Sequence, residues 1–333
     1  MRFDGYYESE YNWGNRQYWR FYPEGLVVSS TYRNDRLPTP EQVAQRVRFT
    51  SSTRMLCRGR WWREGDRVLG LSQLVEYGVP EPPPGRREIP RAGRSRFWGC
   101  DGDLVLHLER EDDFDREWQP SVEKEVCHFR PMQLPEESSA DLVAAADRYL
   151  LPLAARVNPV DGAELVEADG LWFYRYPVSV GQWRKVIRHR PDAPGYGWNN
   201  LLPMVLVAFE EASQYAASVG ARLLSEAEWT RLAAGPQGRP FPWGEEPDTS
   251  RLTIGAKMPS WSTRHPDGMS AEGALDLAGN VAEWTTDMFR GKRVVKGGSY
   301  RSKSIEECRC EARQLVKQDA FKPWLGFRCV MLS

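Results

Sequence analysis

Cysteine and histidine are the side chains here that could hold a soft metal or act as nucleophiles, and both are sparse. The 333-residue chain has six Cys (Cys57, Cys100, Cys127, Cys308, Cys310, Cys329) and four His (His107, His128, His189, His265). Their spacing is wrong for a chelate: no Cys-x-x-Cys or His-x-x-x-His pair occurs, which argues against a structural zinc centre. Cys127 and His128 are adjacent and, on a strand, point to opposite faces. Six cysteines are also too few to brace a chain of this size with disulfides.

The informative stretch runs from Asp276 to Cys329. It reads Asp276-Leu277-Ala278-Gly279-Asn280-Val281-Ala282-Glu283-Trp284, then Arg293-Val294-Val295-Lys296-Gly297-Gly298-Ser299-Tyr300, then Cys310-Glu311-Ala312-Arg313, and ends Gly326-Phe327-Arg328-Cys329-Val330. Gly-Gly after a β-branched run predicts backbone packed too closely for a Cβ, or a turn needing positive φ. The run from Gly326 to Met331 alternates large side chains and reads as a final strand. Upstream, Ser225 and Glu228 have the Ser-x-x-Glu spacing of a capping box at a helix start, and 206–219 reads as an amphipathic helix.

Together these pieces resemble the formylglycine-generating-enzyme (sulfatase-modifying factor) family, whose core is a variant of the C-type lectin fold. The resemblance extends from about Pro159 to the last residue. Leu171 to Trp183 looks like the family's opening strand and the turn into its first helix, with Ser179 and Val180 where the family usually has Thr and Asn. Arg222-Leu223-Leu224-Ser225-Glu226-Ala227-Glu228-Trp229 follows the family pattern with Leu224 for Pro and Ser225 for Thr.

The resemblance implies functional expectations residue by residue. Formylglycine-generating enzymes hold copper with two cysteines just after the Gly-Gly-Ser-Tyr segment, and soft thiolates suit Cu(I). Here the first of those positions is Ser302 and the second falls near Glu307 or Cys308, so no copper is expected. The family's iron-dependent sulfoxide synthases need three histidines on a helical companion domain; the four here are scattered, and no iron is expected. Cys310 and Cys329 match cysteines that form disulfides in some members, but their partner positions are Ala216 and Ala233 or Ala234, so both are expected as buried small hydrophobes. Asn280 and Glu283 match residues that help bind a structural Ca²⁺ through oxygen ligands; the alternative is that they only hydrogen-bond the surrounding loop.

Two function classes follow. The first is a non-catalytic binding or scaffold protein whose loops and last strands present Trp198, Tyr300, Arg301, Lys303, Arg313 and Trp324 to a ligand or protein partner, as aromatic and basic residues suit interface anchors. The second is a non-haem oxidoreductase acting on a peptide or small molecule, with Trp198, Tyr300, Glu307 and Arg313 around the family's substrate groove. Absence of the copper pair favours the first.

The elements that position these residues are expected to form an α+β chain in three parts. Residues 1–135 read as a small antiparallel β meander or barrel with one helix from Pro38 to Val47. Strands are expected over Tyr18 to Tyr22, Leu26 to Tyr32, Arg60 to Arg63, Arg67 to Tyr77, Leu104 to Glu109 and Val126 to Arg130. Arg20-Phe21-Tyr22-Pro23-Glu24-Gly25-Leu26-Val27 with the later Gly59-Arg60-Trp61 looks like the small lipocalin-like domains. Such a barrel holds either a small apolar ligand or its own aromatic side chains. Residues 136–158 form a connector with a helix from Ala140 to Leu151 capped by Ser139. Residues 159–333 form the C-terminal domain.

Apolar residues at 41% and charged residues at 27% describe a soluble globular chain. A formal charge of −1 gives no global field for nucleic acid or anionic membrane. The basic run Arg86, Arg87, Arg91, Arg94 and Arg96 is a local exception, expected as a solvated loop; the lesser alternatives are a docking patch for an acidic partner and a nucleic-acid contact. The N-terminus has no apolar signal region and no membrane-length apolar run occurs, which leads us to expect a cytoplasmic protein.

Overall fold

The structure, a computed structural model, describes residues 3, 5–11, 15–23, 25–32, 37–48, 56–64, 67–74, 92–100, 105–111, 122–132, 134, 136–149, 156–187, 194–195, 197, 200–262 and 264–332. The chain falls into two compact units, one of residues 1–113 with 120–153, the other of residues 114–119 with 154–333.

The first unit contains strands β1 (Gly5–Tyr11), β2 (Asn15–Phe21) and β3 (Leu26–Tyr32), helix α1 (Pro40–Arg46), then β4 (Leu56–Glu64), β5 (Arg67–Leu74), β6 (Ala92–Cys100), β7 (Val105–Glu111), β8 (Val122–Val126), β9 (His128–Pro131) and helix α2 (Ser139–Tyr149). The strands form one sheet in the order β8-β7-β6-β5-β4-β3-β2-β1-β9. Its two ends, β8 and β9, are consecutive in the chain with Cys127 alone between them.

Side chains alternate across this sheet with the two-residue period of a strand. Tyr6, Tyr18 and Val28 pack with Val43 and Val47 of α1 and Leu142 and Ala145 of α2. Tyr7, Trp19, Phe21, Val27 and Cys127 form the other cluster. Cys127 is buried while His128 is exposed, as adjacent strand positions require. The expected cap of α1 is present: Thr39 accepts from the Gln42 amide, and Pro40 opens the helix.

Three local expectations need correction. The basic segment is not all loop: Arg94 and Arg96 lie in β6, in register with Glu111 and Glu109 of β7. Arg86, Arg87 and Arg91 lie outside the described residues. The capping hydroxyl of α2 comes from Ser138, which accepts from the Asp141 amide at 3.1 Å, because the helix starts at Ser139 itself. That helix belongs to the first unit. The buried Glu137 just before it accepts from Arg20 Nη1 at 3.0 Å and from the Tyr22 hydroxyl.

The second unit contains β10 (Arg156–Val157), β11 (Glu164–Ala168), β12 (Leu171–Tyr174), α3 (Val180–Val186), α4 (Phe209–Ser218), β13 (Arg222–Leu223), α5 (Glu226–Ala234), β14 (Ala282–Phe289), β15 (Lys292–Lys296), β16 (Arg313–Val316), β17 (Leu325–Gly326) and β18 (Cys329–Leu332). Two sheets result, β10-β11-β12-β18-β13 and β16-β15-β14-β17. The chain is therefore mixed helix and sheet, antiparallel throughout except where β17 runs parallel to β14.

The expected single final strand is divided between these sheets. Leu325 and Gly326 pair with β14, whereas Cys329 to Leu332 pair with β12 and β13. Phe327 and Arg328, between the two pieces, carry the chain from one sheet to the other and are both fully buried. Phe327 meets Trp183 and Tyr215 edge-on, and those two rings stack at 5.4 Å and 7°. Edge-on and offset-stacked contacts are the favoured aromatic arrangements.

Helix starts are built as the sequence predicts. Ser225 accepts from the Glu228 amide at 3.2 Å, while Glu228 Oε2 accepts from the Ser225 amide at 2.8 Å. Ser179 and Gln182 repeat the box at α3. Arg222 grips Glu228 with two bonds of 2.8 and 2.7 Å. Those bonds, with the Ser225 amide, outweigh burial and hold the Glu228 carboxyl down to about 2. Because the folded value lies below the unfolded one, this stabilisation is complete above about pH 4.5 and is lost as pH falls through about 2. Ser225→Ala is expected to lower the unfolding free energy by about 1 kcal/mol, measured by urea denaturation followed through Trp fluorescence. In Glu228→Gln the fall in stability across that acid range should be shallower than in the native chain.

Candidate functional site

The centre of the second unit is a buried arginine. Arg328 Nε and Nη2 donate to the two oxygens of Glu283 at 3.1 and 2.8 Å. Nη1 donates to the carbonyls of Tyr174 and Arg175 at 2.9 and 2.6 Å, and Nη2 also reaches the Leu275 carbonyl at 2.7 Å. Trp229 Nε1 donates to Glu283 Oε2 at 2.8 Å. Both side chains of the pair are essentially inaccessible, at 0% and 1%. A charge pair so deeply buried needs its remaining donors and acceptors satisfied, and here every N–H of the guanidinium has a partner.

The Asp276–Asn280 loop lies beside it. Asp276, Gly279 and Asn280 all have positive φ, at 58°, 73° and 58°. Asn280 Oδ1 accepts from the Ser260 amide at 2.9 Å, and its Nδ2 donates to the Ser260 carbonyl and Asp276 Oδ2, both at 3.0 Å. Burial pushes the Asp276 carboxyl up to about 7 against the pull of Asn280 and Arg328. Asn280 and Glu283, the pair that the resemblance assigns to calcium, thus both hydrogen-bond the protein around them.

The Gly-Gly expectation holds in both of its forms. Gly297 and Gly298 have φ of 89° and 66°, and a Cβ on Gly298 would lie 2.5 Å from Cys308 Sγ and 3.1 Å from Ser302 Oγ. Under this glycine lie the Ser302 hydroxyl and the Cys308 thiol, both close to the place a Cβ would take. Of the two residues near the second copper-cysteine position, Cys308 is buried and Glu307 is exposed, its Oε1 accepting from the Lys303 amide at 3.0 Å. Ser302 Oγ also accepts from the Ser299 amide at 3.1 Å, closing the turn. Burial pushes the Cys308 thiol up to about 11 and the Cys310 thiol to about 12. Cys310 packs in the cluster of Ala233 and Ala234, and Cys329 in that of Ala216, both as free thiols.

The predicted surface residues separate. Tyr300 is not presented: its ring is buried at 1% exposure, and its hydroxyl donates to the Pro323 carbonyl at 3.3 Å. Arg301 and Lys303 are exposed and Trp324 half-buried. Arg301 Nε donates to the Tyr300 hydroxyl at 3.2 Å, which brings Arg301 to the Pro323–Trp324 segment. Arg313 has other company, pairing with Glu226 at 3.2 Å and covering the Phe289 ring at 4.9 Å. Trp198 lies outside the described residues.

Sequence reasoning missed Arg328, Lys296 and Phe321. Lys296, with its side chain 1% exposed, donates to the Glu311 carbonyl at 3.2 Å and lies 5.5 Å over the Trp229 ring; burial lowers its pKa. A lone cation between Gly326-Phe327 and Cys329-Val330, in an otherwise apolar run, was the available signal for Arg328.

Residues 152–332, more than half of the chain, match the Sulfatase-modifying factor enzyme 1-like domain. The chain belongs to the FGE-sulfatase family. An inactive Cα-formylglycine-generating enzyme 2 of Bos taurus is 30% identical to this family member over 188 residues, covering 48% of this chain and 58% of the bovine protein. A hercynine oxygenase of Mycobacterium tuberculosis is 39% identical over 128 residues, 36% of this chain and 29% of that protein. The chain thus spans 58% of the length of the bovine relative and 29% of that of the mycobacterial one. Among solved structures, PvdO from Pseudomonas aeruginosa has a TM-score of 0.43 at 21% identity, covering 48% of this chain and 79% of PvdO.

In this FGE-sulfatase domain Arg328→Ala is expected to lower the unfolding free energy by about 3–5 kcal/mol, since it leaves the Glu283 charge buried and unpaired. Replacing both partners, Arg328→Met with Glu283→Leu, should recover only part of the loss, because the Tyr174, Arg175 and Leu275 carbonyls still lack donors. Urea denaturation of the two variants checks both outcomes.

Proposed function

We propose that this FGE-sulfatase member is a non-catalytic binding protein, with Tyr300 as the buried support and Arg301, Lys303 and Trp324 as the presented residues of its second unit. One observation carries the reading: the resemblance sets the two copper thiolates at Ser302 and near Glu307 or Cys308, and here the first position holds a hydroxyl while Cys308, the one sulfur available, is buried beneath Gly298 with its thiol pKa raised by burial. Cu(I) takes soft thiolate ligands, so the Ser302 and Cys308 donor set does not fit the ion. The likeness to an inactive formylglycine-generating enzyme supports the same reading. Among the described residues no group of three or more His, Cys, Asp or Glu is arranged to hold a metal.

The second reading, an oxidoreductase of the same superfamily, is favoured by the likeness to a hercynine oxygenase. It requires a redox centre that these donors do not supply. For the first unit, we read the sheet whose end strands β8 and β9 are consecutive as a small lipocalin-like barrel. Its own aromatics, Tyr7, Trp19 and Phe21, occupy one face.

Elemental analysis of protein purified without chelator, with Cu, Fe, Zn and Ca quantified per chain, tests the proposal. We expect no stoichiometric copper or iron; stoichiometric amounts of either overturn the binding-protein reading. Calcium alone is compatible with it, since an oxygen-bound ion adds no redox chemistry. Ser302→Cys sets a second sulfur against Cys308 and is expected to gain Cu(I) binding, measured by competition with a colorimetric chelator.

A further inference from the structure

We infer that Arg301, Lys303, Lys322 and Phe321 form a docking surface for an acidic peptide segment of a partner protein, with an apolar side chain of that segment seated on Phe321 and Trp324. The inference rests on the binding-protein reading and names the partner's chemistry.

Tyr300 is what assembles this surface. Its buried hydroxyl joins the Pro323 carbonyl to Arg301 Nε, so the guanidinium is held beside the segment that carries Lys322 and Trp324. The guanidinium also lies 5.5 Å over the Tyr300 ring, a cation–π contact that further fixes it. The segment is anchored through its backbone: the Phe209 amide donates to Gln318 O at 3.0 Å, Leu206 to Lys322 O at 3.2 Å and Ala282 to Trp324 O at 2.9 Å. A surface held in this way loses little conformational freedom on binding.

Charge selects the partner. Arg301, Lys303 and Lys322 are exposed, and among the described residues none of them makes an ion pair. Elsewhere in the same unit Arg222, Arg231, Arg251, Arg309 and Arg313 each have a carboxylate partner. Asp319 is the acidic residue within the 317–324 segment, and Glu307 faces the Lys303 amide, so local charge is mixed but leaves the three cations open. Phe321, next to Lys322 in the chain and 55% exposed, is an apolar anchor in want of cover. Nucleic acid fits less well, because a polyanion is captured through an extended positive field, whereas this chain has a formal charge of −1. A short acidic segment needs only the local cations.

The test is fluorescence anisotropy of the full chain with a labelled peptide of repeating Glu-Glu-Phe, compared with a Lys-Lys-Phe peptide and a labelled single-stranded DNA. The acidic peptide should bind, and more weakly as salt is raised. The double variant Arg301→Glu with Lys322→Glu should weaken it by about tenfold or more, and Phe321→Ala by several-fold. Lys292→Glu, at the other end of β15 from the Gly-Gly turn, should leave it unchanged. Thermal melts of the variants confirm folding, which exposed positions should preserve. Equal binding of the acidic and basic peptides, indifference to the double charge reversal, or tighter capture of DNA through the same residues each overturns the inference. Metal content is measured separately, so its outcome distinguishes failure of the binding-protein reading from failure of this surface.

Discussion

The second unit depends on the five N–H groups of Arg328 finding five acceptors at once. Two belong to Glu283 on β14 and three are main-chain carbonyls at Tyr174, Arg175 and Leu275. A guanidinium is planar and fork-shaped, so its partners must lie in one plane at fixed angles. That requirement sets where the end of β12, the Leu275 segment and β14 stand relative to one another. Glu283 extends the constraint to α5 through Trp229, and Trp229 meets both Lys296 and the backbone at Gly297. The Gly-Gly turn, the Ser302–Cys308 contact and the Tyr300 hydroxyl bridge are therefore built outward from one buried cation. A polar core of this kind adds little net stability over an apolar one, and its use is to select one arrangement of segments.

How much of this was legible in the sequence followed the range of each interaction. The capping boxes at Ser179 and Ser225 and the special backbone of Gly297-Gly298 are local, and a few adjacent residues suffice to read them. The family frame was legible because its pieces stand in order. Arg328 was quoted only as part of a terminal strand, since nothing within several residues of it shows that the chain changes sheets there. An aromatic beside basic residues suggests an interface anchor, but only the Tyr300 hydroxyl needs a polar partner and its ring is core. Strand β1 carries little signal of its own. In β6, Arg and Gly are poor strand signals, and its acidic register partners on β7 become visible only once the sheet is paired.

Ser302 and Cys308 are held by the backbone around them. Ser302 accepts the Ser299 amide, and Gly298 leaves room for the Cys308 sulfur but for no Cβ. These contacts serve packing.

The position of Arg328 also governs the order in which the chain can be made into a protein. Its hydrogen bonds to Tyr174 and Arg175 span 154 and 153 residues. On the ribosome, β12 emerges long before its central donor exists, so the core of this unit stays incomplete until nearly all of it has been translated. The first unit is the opposite case: strands β1 to β8 each pair with their neighbour in sequence, and only the β1–β9 ladder waits for a distant partner. Local pairing assembles early and long-range pairing late. The first unit can therefore pair most of its strands during synthesis, while the polar centre of the second closes only when its last strand arrives.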